Sequence, residues 1–273
     1  MVIREAYIEA ERRLKAAKIE NASFEARCLI KDVFKKDPFS EDVFNEAEKL
    51  NALIEKRITG YPLQYLIGEW DFYDITLKVG EGVLIPRADT ETLVEEALRI
   101  LKGKKDPKVL DLCSGSGAIP LVLERHVKGE FFAAEKDEKA YFYLYQNNKM
   151  YGNRIKTYMA DVLSSEFVSS IGTFDVITAN PPYLTADEMT SLQKEVSFEP
   201  ALALFGGDDG LEFYRRITDM YFDKLVSNGA LIFEIGYKQG EAVLKILKTA
   251  GFKESYIIKD LNGNDRVAVG IRD

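Results

Sequence analysis

The chain has 273 residues and a mass of 30.9 kDa, which is enough for one large domain or two of ordinary size. A hydrophobic content of 46% and a charged content of 30% exclude a disordered chain. The net charge of -8 excludes an overall positive field that would attract nucleic acid or an anionic membrane. The apolar runs have the length of strands and are too short to span a membrane. The first residues, which include Arg4 and Glu5, contain no apolar segment typical of a secretory signal. Two cysteines, Cys28 and Cys113, are too few for a disulfide framework or a zinc cluster. We therefore expect a soluble cytoplasmic enzyme without a membrane segment or a metal site.

The N-terminal part of the chain, to about residue 60, has the apolar spacing of helices. The apolar stripes are Tyr7, Ala10, Leu14 and Ala17, then Leu29, Ile30, Val33 and Phe34, then Val43, Ala47, Leu50 and Ile54. Ser40 is a candidate N-cap for the third helix, and Thr59-Gly60 is a candidate stop. The pattern predicts a helical bundle, and we expect a domain over residues 1–69.

Residues 70–86 change to a β pattern that is interrupted by Gly80-Glu81-Gly82. A glycine-rich break between two apolar runs is typical of a hairpin, so we expect a hairpin linker over residues 70–88. Helical spacing begins at residue 89 and continues to residue 101. We expect the second domain to cover residues 89–273.

Strands and helices then alternate along the chain. The strand-like runs are Lys108–Leu112, Glu130–Glu135, 155–160, Phe174–Ala179 and 230–235, with helix-like segments between them. Two final runs, Glu254–Lys259 and 266–271, flank Asn262-Gly263, which is a turn typical of an antiparallel hairpin. The pattern predicts an α/β fold in which a mostly parallel sheet carries helices on both faces and ends in that hairpin.

The first of these strands leads into the loop Asp111-Leu112-Cys113-Ser114-Gly115-Ser116-Gly117, and a helix follows. Glycines at this place let the backbone approach a ligand at the helix N-terminus. The loop is not a phosphate loop, because no Lys-Ser/Thr pair follows, and Pro120 spoils a full dinucleotide fingerprint. By itself the loop is equally compatible with a simple tight turn.

Acidic residues end the next two strands. Glu135 is placed to accept hydrogen bonds from both hydroxyls of a ribose, although it could equally be a solvated charge that opens the next helix. Asp161 is placed to accept from an adenine amino group with Val162 packed on the ring, although it also suits a helix N-cap. The carboxyl ends of these strands and the glycine loop meet at one edge, which favours a nucleoside pocket.

The fourth strand ends in Asn180-Pro181-Pro182-Tyr183. The two prolines cannot continue a strand ladder and hold Asn180 in a rigid extended turn. The Asn180 carboxamide oxygen and the Pro181 carbonyl can then accept hydrogen bonds from one planar NH2 group, on which Tyr183 can stack. A plain strand-ending turn would explain the prolines but not the asparagine and tyrosine together.

These residues indicate a reaction. An amide or exocyclic amino nitrogen is a poor nucleophile, and two acceptors on its hydrogens would hold it in line with an electrophilic carbon such as a sulfonium methyl. A general base is not evident, because the single histidine, His126, falls at a helix end, and the chain lacks the residue sets of a hydrolase. We interpret Cys113 as a small packing residue rather than a nucleophile.

From about residue 60 onward the chain resembles the class I S-adenosylmethionine-dependent methyltransferases, and specifically the HemK/PrmC-type peptide chain release factor glutamine methyltransferases. The glycine loop and the Asn-Pro-Pro-Tyr motif match that family. The other resembling segments are Gly60-Tyr61-Pro62-Leu63-Gln64-Tyr65, Val83-Leu84-Ile85-Pro86-Arg87-Ala88-Asp89-Thr90-Glu91, the stretch from Phe198 to Leu211 with Gly206-Gly207-Asp208-Asp209-Gly210, and Phe233-Glu234-Ile235-Gly236.

The resemblance implies a Rossmann-like sheet of seven strands and methylation of the glutamine side-chain amide in the Gly-Gly-Gln loop of a release factor. The cofactor would be S-adenosylmethionine and the by-product S-adenosylhomocysteine. The implied cofactor residues are Asp111, Cys113, Ser114, Gly115, Ser116, Gly117, Glu135, Asp161, Val162 and Asn180, and the implied substrate residues are Asn180, Pro181, Pro182 and Tyr183, of which Asn180, Pro181 and Tyr183 are catalytic. The helical domain would dock the protein substrate, and we expect a monomer that binds no nucleic acid directly.

Three positions depart from the family pattern. Cys113 stands where many methyltransferases have a glycine, Glu135 replaces the commoner aspartate, and Ala88-Asp89 replaces a Pro-Glu pair. We expect Cys113 to affect cofactor affinity at most.

Two alternatives remain open from the sequence. The first is an amino-methyltransferase that acts on adenine or guanine of DNA or RNA, with the base flipped into the same site. The absence of a basic cluster weighs against it. The second is a regulatory module that binds the cofactor without turnover, for which Asn180 would be dispensable.

Overall fold

The structure is a computed structural model that describes residues 2–43 and 45–273 of the chain. The described residues form two compact units. The first covers the described residues of Met1–Glu69 together with Gln193–Phe198, and the second covers Trp70–Leu192 and Glu199–Asp273. No helix in the described part of the chain is both long enough and apolar enough to cross a membrane.

The first unit is helical. Its helices are α1 (Ile3–Ala16), α2 (Ala22–Phe34), α3 (Ala47–Ile58) and the short α4 (Leu63–Ile67). Three of the predicted stripe residues, Leu14, Leu29 and Ile54 from three different helices, are fully buried and pack together. The prediction that Val43 belongs to the third stripe is wrong, because α3 begins only at Ala47 and Val43 is 74% exposed. Helix α3 ends at Ile58 with Thr59 at the C-cap, as the sequence predicted.

The prediction that Ser40 caps the third helix is wrong. Helix α3 begins only at Ala47, and the Ser40 hydroxyl accepts a hydrogen bond from the nearby Asp42 amide (3.1 Å). The Ser40 and Asp42 carbonyls instead accept from the amides of Arg4 (3.1 Å) and Ile3 (3.0 Å). The first turn of α1 needs acceptors for its amides, and this segment supplies them, so it stays extended.

A buried arginine holds residues 193–198 within the helical unit. The Arg57 side chain is 1% exposed, and its guanidinium lies 2.5 Å from a carboxylate oxygen of Glu25 and 2.5 Å from one of Glu195. A guanidinium removed from water requires such anionic partners, so replacing either glutamate would leave a buried charge less well paired. The segment that follows the Asn-Pro-Pro-Tyr motif in the chain is thereby fixed to α2 and α3.

The second unit is an α/β structure. Its strands are β1 (Glu69–Phe72), β2 (Ile75–Lys78), β3 (Lys108–Leu112), β4 (Glu130–Glu135), β5 (Ile155–Met159), β6 (Phe174–Ala179), β7 (Leu225–Glu234), β8 (Glu254–Lys259) and β9 (Asp265–Ile271). Its helices are α5 (Glu91–Leu101), α6 (Ala118–His126), α7 (Glu138–Met150), α8 (Ser165–Ser170), α9 (Ala186–Thr190), α10 (Glu212–Tyr221) and α11 (Gly240–Thr249).

Seven of the described strands form the main sheet in the order β5-β4-β3-β6-β7-β9-β8. The pairs from β5 through β7 are parallel, and β9 is antiparallel to both β7 and β8. This arrangement confirms the predicted fold class. Because β3, β4, β5 and β6 are parallel, their carboxyl ends meet at one edge, where the order of the strands reverses on either side of β3.

Alternating residues of the same strands enter two separate cores, which is why apolar residues occur on both faces of each strand. In β6, Val176 joins the core under α5 and α6, whereas Ile177 joins the core that contains Tyr214 and Val243 of α10 and α11. The sheet is therefore covered by helices on both faces, and its strand ends are held rigidly.

The hairpin predicted over residues 70–86 is placed differently in the structure. Strands β1 and β2 are joined by Tyr73-Asp74, where Tyr73 has a φ of 56°, and Gly80-Glu81-Gly82 is a later turn that leads the chain out of this small sheet. Val83 is fully buried but belongs to no strand, so the alternation of apolar residues reflected burial rather than ladder pairing. Strand β7 also begins earlier than predicted, at Leu225, because a register shift between Phe174 and Val176 accommodates Ser227 and Asn228 within the strand.

Candidate active site

The glycine loop between β3 and α6 has the backbone geometry that its composition suggested. Gly115 and Gly117 have φ values of 52° and 85°, in the left-handed region that glycine tolerates. A Cβ on Gly117 would lie 2.8 Å from Leu144 Cδ1, whereas a Cβ on Gly115 would meet nothing closer than 3.9 Å. Gly117 therefore lets helix α6 pack closely, and Gly115 leaves open space above the loop.

Cys113 also has a left-handed backbone, with a φ of 56°. A Cβ in this backbone conformation is disfavoured by about 1 kcal/mol, so a cysteine here carries a small conformational cost. Burial raises the pKa of the Cys113 thiol well above its ordinary value, and nearby carboxylates add to the effect. The residue remains a neutral thiol, as expected for a packing role.

Glu135, at the end of β4, binds the backbone of the glycine loop. Its Oε2 accepts from the Gly115 amide (2.8 Å), and its Oε1 accepts from the amides of Lys136 (2.7 Å) and Asp137 (2.9 Å). Burial raises the pKa of Glu135, although these backbone donors oppose the rise. A carboxylate oxygen has two lone-pair directions, so Oε2 retains the capacity to accept from a ligand hydroxyl.

Asp111 lies beneath the loop rather than on a cavity wall. It is fully buried, its Oδ1 accepts from the Thr178 hydroxyl of β6 (2.6 Å), and its backbone carbonyl accepts from Ser114 Oγ (3.0 Å). Its Oδ2 has no hydrogen-bond partner among the described residues. Burial raises the pKa of Asp111 to about 7, because desolvation outweighs the hydrogen bonds to its ionised form.

Asp161 follows β5 and is half-exposed. Its carboxylate accepts from the Leu163 amide (2.9 Å) and from Lys136 Nζ (2.7 Å). Burial acts to raise its pKa, but these two hydrogen bonds outweigh burial and lower it. The N-cap of α8 is Ser164 rather than Asp161, so the capping alternative is excluded.

The Asn-Pro-Pro-Tyr turn is supported from behind by a glycine-rich segment. The Tyr183 amide donates to the Leu204 carbonyl (3.1 Å), and the Tyr183 carbonyl accepts from Gln239 Nε2 (3.0 Å). A Cβ on Gly206 would lie 2.5 Å from Tyr183 Cα, and one on Gly210 would lie 2.4 Å from the Tyr183 carbonyl oxygen. The glycines of Gly206-Gly207-Asp208-Asp209-Gly210 thus permit backbone-to-backbone packing against the motif.

One further contact joins two of the segments that the sequence singled out. Glu199 is almost fully buried, and its carboxylate accepts from the Ile85 amide (2.9 Å) and pairs with the Arg87 guanidinium. The Glu-Pro stretch after the motif is thereby fixed to the Pro-Arg stretch before α5. Sequence alone could not place these residues together, because 112 positions separate Arg87 from Glu199.

A cavity of about 320 Å³ opens at this edge of the sheet, entirely within the second unit. It brings together most of the predicted site residues, namely Cys113, Ser114, Gly115, Ser116, Glu135, Asp161, Val162, Asn180 and Pro182. Asp111, Gly117, Pro181 and Tyr183 adjoin these residues in the chain but do not line the cavity. His126 lies elsewhere, 3.2 Å from Asp74 at the end of α6.

Sequence reasoning missed several residues of the cavity wall, which are Leu84, Thr90, Lys136, Leu163, Phe213 and Arg216. Phe213 and Arg216 are three residues apart on one face of α10, which is a spacing that could have indicated a shared surface. No group of three or more His, Cys, Asp or Glu side chains able to hold a metal ion occurs in the described ranges.

Solved structures with a similar fold include methyltransferases. A methyltransferase from Pyrococcus furiosus superposes with a TM-score of 0.55 at 16% identity, over 84% of this chain and 99% of that one. The hMettl16 catalytic domain, solved in complex with a MAT2A 3′UTR hairpin, gives 0.58 at 14% identity, over 82% of this chain and 81% of that one. This chain therefore has the fold of these proteins, with a cavity at the carboxyl ends of its parallel strands.

Sequence relatives narrow the class to one family. Residues 5–68 match the PrmC N-terminal domain, and residues 89–205 match the family described as Conserved hypothetical protein 95. The release factor glutamine methyltransferase of Thermodesulfovibrio yellowstonii is 40% identical over 228 residues, covering 82% of this chain and 81% of that protein. The release factor glutamine methyltransferase of Clostridium botulinum is 35% identical over 278 residues, covering 98% of each. The chain belongs to the release factor glutamine methyltransferase family, which confirms the resemblance seen in the sequence.

Proposed function

We propose that this protein transfers a methyl group from S-adenosylmethionine to the side-chain amide nitrogen of the glutamine in the Gly-Gly-Gln motif of peptide chain release factors. The observation that carries the proposal is the position of Asn180 and Pro182 on the wall of a cavity that also contains the glycine loop and Glu135. Family membership indicates the protein substrate, since relatives at 35% and 40% identity carry that name.

The residues present fit the cofactor. Gly115 leaves space above the loop, Glu135 keeps a free acceptor direction for a ribose hydroxyl, and Asp161 and Val162 offer a carboxylate beside an apolar surface for adenine. The buried Oδ2 of Asp111 is a further unused acceptor beneath the loop. When bound there, S-adenosylmethionine supplies an electrophilic methyl carbon on a positively charged sulfur.

The motif residues act on the substrate amide. Asn180 Oδ1 and the Pro181 carbonyl would accept hydrogen bonds from the two amide hydrogens, which holds the nitrogen in a fixed direction and favours the positive charge that develops on it. We predict that Tyr183 stacks against the same planar group. Burial raises the pKa of its phenol, so Tyr183 stays neutral and keeps its aromatic face apolar.

Several details remain predictions. They are the roles of the individual site residues, docking of the release factor on the helical domain, a cytoplasmic location, a monomeric state and the absence of direct nucleic acid binding.

A labelled methyl-transfer assay tests the function. The protein and methyl-labelled S-adenosylmethionine are offered a release factor, the same release factor with its Gly-Gly-Gln glutamine changed to alanine, DNA and RNA, in separate reactions. We expect label only in the unchanged release factor, and loss of label with the Asn180→Ala variant. Label in nucleic acid alone, or equal label in the glutamine-free release factor, would overturn the proposal. Full transfer by Asn180→Ala would overturn the role of the motif.

A further inference from the structure

A hydrogen-bonded chain leads from Asn180 into the protein interior. Asn180 Nδ2 donates to Thr90 Oγ1 (3.4 Å), and Thr90 Oγ1 donates to Glu234 Oε2 (2.6 Å). Thr90 is 4% exposed and Glu234 is 2% exposed, so both side chains are largely removed from solvent. Three segments far apart in the sequence meet here: the residue before α5, the end of β6 and the end of β7.

The chain of donors fixes which way the Asn180 carboxamide faces. An ionised carboxylate can only accept, so Thr90 must give its single proton to Glu234. The Thr90 oxygen can then only accept, and it accepts from the NH2 side of the carboxamide. A flipped carboxamide would set its oxygen against another acceptor, which is unfavourable in a buried site. Asn180 Oδ1 is therefore directed away from Thr90.

A short 3-10 turn, Ala88–Thr90, leads directly into α5, and Thr90 has helical backbone angles (φ -64°, ψ -21°). Its side chain makes no capping hydrogen bond to the helix. The hydroxyl therefore bonds to Glu234 and Asn180 and not to the backbone of α5.

We propose that Thr90, held by Glu234, is a positioning residue for methyl transfer: it keeps the Asn180 carboxamide oxygen directed to the substrate NH2 group. The inference rests on the proposed function, because that function requires Asn180 Oδ1 to accept from the substrate. Thr90 acts through Asn180 and takes no part in bond making or breaking.

The charged surroundings of Glu234 determine at which pH this arrangement holds. Burial raises the pKa of Glu234 to about 7, the hydrogen bond from Thr90 opposes the rise, and a protonated Glu234 would no longer require a proton from Thr90. The other groups that face it are Arg266 on β9, Arg87 and Asp89 before α5, Tyr183 in the motif and Tyr214 on α10. Assays at pH 8.5 therefore examine the ionised form.

The test compares Thr90→Val, which keeps the shape but removes the hydroxyl, with Thr90→Ser, which keeps the hydroxyl. At pH 8.5 we expect Thr90→Val to lower kcat for release factor methylation by roughly 10- to 100-fold, while the KM for the release factor and the Kd for S-adenosylmethionine change less than about threefold. Thr90→Ser should stay within about threefold of the unchanged protein. An unchanged kcat in Thr90→Val, or equal losses in both variants, would overturn the inference.

A second measurement covers the case in which Thr90→Val does not fold. In the unchanged protein we expect kcat to fall between pH 8 and pH 6, because a protonated Glu234 no longer fixes the direction of the Thr90 hydroxyl. Glu234→Gln keeps an acceptor for Thr90 but cannot ionise, so this fall should disappear in the variant. A Glu234→Gln variant with the same fall would overturn the inference. Failure of the unchanged protein to methylate release factor would instead overturn the proposed function, so the two failures are distinguishable.

Discussion

The close packing of Gly206 on the Asn-Pro-Pro-Tyr turn gives a quantitative prediction for Gly206→Ala. The added Cβ would lie 2.5 Å from Tyr183 Cα, 2.6 Å from the Pro182 carbonyl oxygen and 2.9 Å from the Tyr183 carbonyl carbon. All three are backbone atoms, so no side chain can rotate away. To reach an ordinary contact distance of 3.4 Å, the turn and the glycine segment must separate by about 0.9 Å, the difference between 3.4 and 2.5 Å.

A displacement of this size at the substrate-holding turn has a large effect on rate. A misplacement of about 1 Å reduces a reaction that depends on alignment by roughly 100-fold. We therefore expect Gly206→Ala to lower kcat for release factor methylation about 100-fold. The glycine loop follows β3 and Glu135 ends β4, and of the predicted cofactor residues only Asn180 belongs to this turn. The Kd for S-adenosylhomocysteine should therefore change less than about threefold.

The assay combines steady-state methyl transfer with isothermal titration of S-adenosylhomocysteine and a thermal melt. Gly172→Ala is the matched control, because a Cβ on Gly172 would meet no atom within 4 Å and its φ is not left-handed. We expect Gly172→Ala to behave like the unchanged protein. A folded Gly206→Ala variant with unchanged kcat would refute the prediction, because it would show that methyl transfer does not depend on the exact position of this turn.

Three further predictions concern the cofactor side of the cavity. Glu135→Gln replaces one accepting oxygen by an NH2 group that faces a backbone donor. We expect the Kd for S-adenosylhomocysteine to rise by roughly 10- to 100-fold, which corresponds to about 1.5–3 kcal/mol for a lost charged hydrogen bond. An unchanged Kd in isothermal titration would contradict this prediction. In Asp111 the folded-state pKa of about 7 lies above the ordinary value of 3.8, so its contribution to stability is present below about pH 4 and is lost as the pH rises through 7. Urea unfolding of Asp111→Asn should therefore match the unchanged protein near pH 4 and exceed it by up to about 4 kcal/mol near pH 8, and a difference independent of pH would contradict this. Gly115→Ala should weaken cofactor binding, with a loss in the free energy of unfolding of only about 1 kcal/mol. In Gly117→Ala the new Cβ would lie 2.8 Å from Leu144, so this variant should lose more than about 2 kcal/mol. Equal losses in the two variants would contradict the assignment of Gly115 to the open side of the loop and Gly117 to its packed side.

The sequence predicted those parts of the fold that local patterns determine. Strands β3, β4 and β6 were predicted with the bounds that the structure has, because most of their residues are apolar and enter cores on both faces of the sheet. The same reasoning failed between residues 70 and 86, where Val83 is buried without belonging to a strand. Burial and ladder pairing leave the same pattern in a single sequence, and only the structure separates them.

For the candidate site, the sequence indicated which strand ends would meet but not how their side chains are paired. Glu135 was predicted to face a ribose, yet its established partners are three backbone amides, which no spacing rule reveals. The link from Asn180 through Thr90 to Glu234 spans 144 positions between its last two members. Such pairings depend on strand order, which single-sequence patterns do not specify.

The carboxylates around the cavity bear on how this enzyme achieves catalysis. Within the described residues, Glu135 accepts from three amides, Asp161 from Lys136 and an amide, and Glu234 from Thr90. The hydrogen bonds of these three carboxylates hold a backbone segment or a side chain in place. None of these contacts directs a carboxylate towards a proton of a substrate bound at Asn180. On the proposed function, we therefore expect alignment of the amide, rather than proton removal by one of these three carboxylates, to be the main contribution of the protein to the rate. It follows that changes which move the Asn-Pro-Pro-Tyr turn without altering any charge should be as damaging as the removal of a carboxylate.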